Sequence, residues 1–196
     1  MRVLWHADHR RVPWKNGLGL TYEVARSEAA HSDGARSDLE DFDWRVSFAA
    51  VERPGPFSSF PGVDRIITLA SGSRLTLQLA DGDVRELRPF EPFAFPGEAE
   101  VRGVPSGPTM NLNVMTRRGR ANATVVCRRI ADRSTLDLSG TTFLVVLAGV
   151  LMVEDVIIAP RDVVRDLPDR LTVTGDGVVA LVAIDVSGNG PADSEQ

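Results

Sequence analysis

Two arginines stand where strand alternation buries side chains. Arg45 lies between Trp44 and Val46, and Arg65 shares a strand face with Ile67 and Leu69. A guanidinium stays charged and offers a planar fork of donors, so among apolar neighbours it calls for a carboxylate. An internal partner (Asp64, Glu23 or Glu52), solvent or a bound molecule would each satisfy it, and the residues alone leave these open. Asn111, Asn113 and Met115 share a face opposite Leu112 and Val114, which puts two amides on a strand that ought to be packed. Pro13-Trp14-Lys15-Asn16-Gly17 is dense for a loop. A structural turn capped by Trp14 explains Pro13, Trp14 and Gly17, and explains Lys15 and Asn16 less well.

Other chemistries lack their residues. The three histidines are His6, His9 and His31, and no His-x-His or His with a carboxylate at ligand spacing follows residue 31, so no metal and no other cofactor is expected. Asp8, Arg10 and Arg11 make the stretch around His6 and His9 read as solvated. There is no Gly-x-Ser-x-Gly, and Ser58 and Ser59 are far in sequence from any histidine. Gly17-Leu18-Gly19 follows no predicted strand and opens no helix, which makes it a turn rather than a nucleotide fingerprint. Cys127, the one cysteine, sits in Thr124-Val125-Val126-Cys127 and reads as a small buried thiol. Arg117-Arg118-Gly119-Arg120, with Arg128 and Arg129 beyond it, lacks interleaved aromatics and reads as a solvated loop. With 22 basic and 27 acidic residues the net charge is −5, so neither nucleic acid nor an anionic membrane is an expected partner.

Strands must position these side chains. No window keeps helical spacing without a Gly, Pro or Asp breaking it, whereas Arg45, Ser47 and Ala49 alternate with Trp44, Val46 and Phe48, and Leu75, Leu77 and Leu79 alternate with Thr76 and Gln78. Turn residues recur at short intervals, among them Pro61-Gly62, Ser71-Gly72, Asp81-Gly82, Pro96-Gly97, Gly140, Gly149 and Gly175-Asp176-Gly177. The fold class predicted is all-β, a sandwich or barrel. A weak repeat refines this. Phe95-Pro96-Gly97 to Gly103 resembles Leu167-Pro168-Asp169 to Gly175 at an offset of 167 − 95 = 72, and Arg65–Gly72 resembles Thr142–Gly149 as a buried strand entering a Gly turn. Two β-barrels are therefore expected, over residues 1–120 and 121–187, with 188–196 as a flexible tail and the polar stretch Ser27–Asp41 as an inserted loop. At 196 residues, with 43% hydrophobic and 25% charged, the chain has the composition of a globular domain. No apolar run reaches the roughly 18 residues of a membrane span, and the charged start leaves no signal-peptide core, so the location expected is the cytoplasm.

Five ordered segments resemble the HutD/Ves family, bacterial proteins often encoded with histidine-degradation enzymes. They are Pro13–Gly17, Trp44–Ala49, Gly55–Arg65, Pro92–Gly97 and Leu112–Gly119. From about residue 120 onward only strand pattern and length agree. The resemblance implies a bicupin fold whose pocket lacks the usual cupin metal ligands. It also implies regulation of histidine utilisation by binding a small carboxylate metabolite, with urocanate and N-formylglutamate as candidates. It places Trp14, Lys15, Asn16, Arg45, Ser47, Ser58, Arg65 and Asn113 at or near that pocket. The chain departs from the family pattern in Gly17-Leu18-Gly19, where the family has three glycines, and in Asn111, where it often has aspartate. A different reading is an isomerase or hydrolase using Lys15 or Glu23 as acid or base, and a third is an interaction module with a vestigial pocket. The regulatory protein partner is not specified, nor is dimerisation through an exposed sheet edge.

Overall fold

The structure, a computed structural model, describes residues 1–14, 19–27 and 42–186. Lys15 and Asn16, almost all of the expected 27–41 loop, and the C-terminal tail lie outside the described residues. Among the described residues the chain is all-β, with a single 3-10 turn at His6–Asp8. The central sheet runs β2 (Arg10–Pro13), β3 (Gly19–Arg26), β4 (Trp44–Val51), β11 (Thr109–Arg117), β6 (Val63–Ser71), β9 (Pro92–Pro96). A smaller sheet of β5 (Gly55–Pro56), β10 (Val101–Pro105), β7 (Leu75–Leu79) and β8 (Val84–Leu87) covers one of its faces. A seven-stranded sheet covers the other, built from β1 (Arg2–Leu4), β12 (Ala121–Ile130), β13 (Arg133–Asp137), β14 (Phe143–Val153), β15 (Val156–Ile158), β16 (Val163–Arg165) and β17 (Arg170–Val186). Among the described residues no sheet closes on itself.

Alternation decides what each face of the central sheet meets. Val46, Phe48, Leu112 and Val114 point one way and pack against Phe143, Val145 and Val182 of the large sheet. Residues one position along point the other way, where Val51, Ile67 and Leu69 pack on Leu75, Leu77 and Leu87. Strands β4 and β11 are thus covered on both faces near their centres, whereas β7 alternates buried Leu75 and Leu77 with an exposed Gln78, and the polar residues of the central strands line the space between the central and small sheets.

Two glycine signals read as turns lie inside long strands. Gly149 sits in β14 at φ +81°, beside a register shift between Val146 and Ala148, and pairs with Gly177 of β17. A Cβ on Gly149 would come within 2.0 Å of the Asp176 carbonyl oxygen, so the glycines permit close strand contact at a bulge rather than a reversal of the chain. The N-terminal strand joins distant sequence: β1 pairs antiparallel with β16. His6 supports this junction by donating its backbone N–H to Asp162 Oδ1 at 2.8 Å. His9, expected in a solvated stretch, is 7% exposed and stacks on Phe48, because the 3-10 turn directs it inward. Burial holds its imidazole below the usual histidine pKa.

Candidate functional site

The register of five strands builds the site. Arg45 on β4, Met115 on β11, Arg65 on β6 and Phe95 on β9 lie opposite one another on one rung, so their side chains leave the sheet on the same side. The next rung holds Glu23, Ser47, Asn113 and Ile67, and the one beyond holds Thr21, Ala49, Asn111 and Leu69. Above this floor lies a cavity of about 290 Å³, near the lower bound of ordinary small-molecule pockets at roughly 300 Å³. It fits a small metabolite better than a peptide.

Aromatic side chains from loops and strand ends form its walls. Phe57 and Phe60 are held by backbone bonds from Phe57 N to the Val101 carbonyl and from Phe60 N to the Gly97 carbonyl, each 2.8 Å. Gly103 makes room for Phe57, since a Cβ there would sit 2.6 Å from the ring. Trp14 donates its indole N–H to Thr21 Oγ1 at 2.9 Å and meets Phe57 edge-on with ring centroids 6.2 Å apart.

The two arginines are satisfied differently. Arg45 donates from Nε to Glu23 Oε2 at 2.8 Å, and both residues are buried. Burial pulls the Arg45 guanidinium down from its usual pKa while Glu23 pulls it back. Arg65 is 6% exposed and, among the described residues, faces no carboxylate. Nη2 donates to Asn113 Oδ1 at 3.1 Å and Nη1 to the Ser58 carbonyl at 3.3 Å, while Nε has no partner. Its guanidinium carbon lies over Phe95, Phe57 and Phe60, with 4.9, 5.4 and 5.6 Å to the ring centroids. Burial, with the positive charge of Arg45 nearby, pushes its pKa down to about 10, so it remains a cation at neutral pH.

Trp14, Arg45, Ser47, Ser58, Arg65 and Asn113 all line this one cavity. Lys15 and Asn16, their expected companions, lie outside the described residues. Thr21, Phe57, Phe60 and Asn111 also line the cavity and were not among the expected pocket residues. The alternation of Asn111 with Asn113 already carried the signal for one of them, and the phenylalanines flank Ser58 in Pro56-Phe57-Ser58-Ser59-Phe60. Glu23, the alternative acid or base, is engaged by Arg45. The basic turn at residues 117–120 is tied to acids: Arg118 bridges Asp64 and Glu98, and Arg120 reaches Asp43 at 3.4 Å. Cys127 is a free thiol pushed up to about 11 by burial. Among the described residues no group of three or more His, Cys, Asp or Glu is arranged to hold a metal, and no helix is long and apolar enough to cross a membrane.

A family model described as HutD matches residues 6–179. Protein Ves of Citrobacter koseri is 38% identical over 132 residues, covering 65% of this chain and 63% of that protein. A 21.2 kDa Pseudomonas putida protein in the hutC 3′ region is 41% identical over 101 residues, 52% of this chain and 50% of its own. The chain therefore matches about half to two thirds of the length of these two relatives. The structure of HutD from Pseudomonas fluorescens SBW25 superposes with a TM-score of 0.76 at 29% identity, covering 95% of this chain and 99% of that one. YhhW from Escherichia coli, at 7% identity, shares the fold alone, with a TM-score of 0.60 over 95% of this chain and 97% of its own.

Proposed function

Because the chain belongs to the HutD family, we propose that it is a cytoplasmic bicupin that binds a small carboxylate metabolite in its N-terminal cavity and regulates histidine utilisation through that ligand, without catalysis or a metal. Urocanate and N-formylglutamate are the candidate ligands. One observation carries the reading: Arg65 is a buried cation, lining a cavity, with an unsatisfied Nε and no carboxylate opposite it among the described residues. A buried charge without a counter-ion is costly, and a carboxylate entering the cavity supplies both the charge and the acceptors. Arg45 serves this arrangement in another way, because Glu23 neutralises it and leaves Arg65 as the anion receptor. Asn113, its Oδ1 committed to Arg65, keeps its NH2 group as a further donor.

A thermal-shift screen of chelator-treated protein against urocanate, N-formylglutamate, histidine, glutamate and unrelated carboxylates tests this. A ligand at a hundredfold excess over its Kd adds about 2.7 kcal/mol, a rise of roughly 5–10 °C for a chain of this size. A selective shift that disappears in Arg65→Met supports the proposal. Equal behaviour of both proteins toward every carboxylate overturns it.

A further inference from the structure

We infer that Asn111 makes the cavity selective for a carboxylate that carries a neutral N–H or O–H donor at its opposite end, and that it excludes dicarboxylates, so that of the two candidate ligands it admits urocanate and rejects N-formylglutamate. The inference deepens the anion-binding proposal and rests on Arg65 as the anchor. Asn111 is fully buried, lines the cavity, and leaves its Oδ1 without any hydrogen-bond partner. A buried amide oxygen in that condition calls for a donor.

The orientation of the amide is set by its neighbours. Asn111 Nδ2 faces the Ala49 carbonyl and Thr109 Oγ1, each at 3.4 Å. A backbone carbonyl only accepts, and the Thr109 hydroxyl gives its proton to the Val51 carbonyl at 3.1 Å, so it too receives from Asn111. Turning the amide over would set its oxygen against two acceptors. This chain of bonds fixes Oδ1 as an acceptor and directs it away from β4 and Thr109.

The distance between the two ends follows from the strand. Asn113, which holds Arg65, and Asn111 are neighbours on one face of β11, about 6.6 Å apart along it at ~3.3 Å per residue. A ligand whose carboxylate meets Arg65 therefore presents its far end to Asn111 Oδ1 if it is about five carbons long. An amide, hydroxyl or ring N–H there completes the hydrogen bond. A methyl leaves the oxygen unpaired, and a second carboxylate brings oxygen lone pairs against it. Among the described residues, no Asp or Glu lines the cavity and the one lining cation besides Arg65 is held by Glu23.

The test is calorimetric titration of the full chain near neutral pH with three five-carbon probes: glutaramate, which ends in a carboxamide, pentanoate and glutarate. Glutaramate is expected to bind about tenfold more tightly than pentanoate, and glutarate more weakly than both. Asn111→Leu should bring glutaramate and pentanoate within about threefold of each other. Asn111→Asp should shift preference toward 5-aminopentanoate, whose far end is an ammonium. The wild-type ranking decides the matter even if a variant does not fold. Equal binding of all three probes, lost in Arg65→Met, overturns the role of Asn111 and leaves the anion anchor standing. Tightest binding of glutarate overturns the selectivity, and no binding of any probe overturns both readings.

Discussion

Arg45 and Arg65 stand on the same rung of the central sheet, separated by Met115, and Arg45 has a carboxylate partner that Arg65 lacks. Equal chemistry at equal depth thus meets two different environments. Stability and binding should respond to the two residues in opposite directions.

Arg65→Met should stabilise the unliganded protein by about 1–3 kcal/mol, since it replaces a buried cation lacking a counter-ion by an apolar chain that fits between Phe57, Phe60 and Phe95. The same change should abolish carboxylate binding. Urea unfolding with and without ligand measures both, and a destabilised variant that still binds would sink the assignment.

Glu23→Gln should cost about 3 kcal/mol, because it leaves Arg45 buried and unpaired. Replacing both members, Glu23→Gln with Arg45→Met, should recover most of the loss. A double-mutant cycle by denaturant titration reads the coupling, and additive effects would contradict the ion pair.

Arg65→Lys keeps the charge and loses the planar fork. Carboxylate affinity should fall about tenfold by calorimetry, with little change in the unliganded melting temperature. Unchanged affinity would show that charge alone holds the ligand.

His9 gives a pH prediction. Its pKa is lowered in the folded protein by burial, so below the unfolded value of 6.5 the unfolded chain takes up a proton that the folded chain refuses. Stability attributable to His9 is therefore complete above about pH 6.5 and is lost as pH falls toward the folded pKa. His9→Phe should flatten the stability profile below about pH 6.5, a change visible in melting curves taken at successively lower pH.

The strand faces were legible because alternation is a local property. Arg45 with Ser47, and Asn113 with Met115, could be placed on shared faces from spacing alone, and the cavity gathers them from two neighbouring strands. What spacing could not supply is pairing between strands. Nothing in the sequence chooses among Asp64, Glu23 and Glu52 as partner for Arg45, a choice made by β3 lying beside β4, and Asp64 turns out to hold Arg118 instead. Gly149 and Gly175 misled for a related reason. A positive φ serves a turn and a bulge equally, and only the facing strand distinguishes them. The inward placement of His9 likewise depends on Phe48, which lies 39 positions away (48 − 9 = 39).

The joining of β1 to β16 has a bearing on how the molecule is made. Residues 2–4 find their strand partner only when residues 163–165 have left the ribosome, and His6 waits 156 positions for Asp162. The N-terminal segment is thus among the last pieces to settle during synthesis, and closing so long a loop slows folding. Until then the edge of the large sheet stays open to other chains, which makes this edge the point where a stalled or truncated product would aggregate.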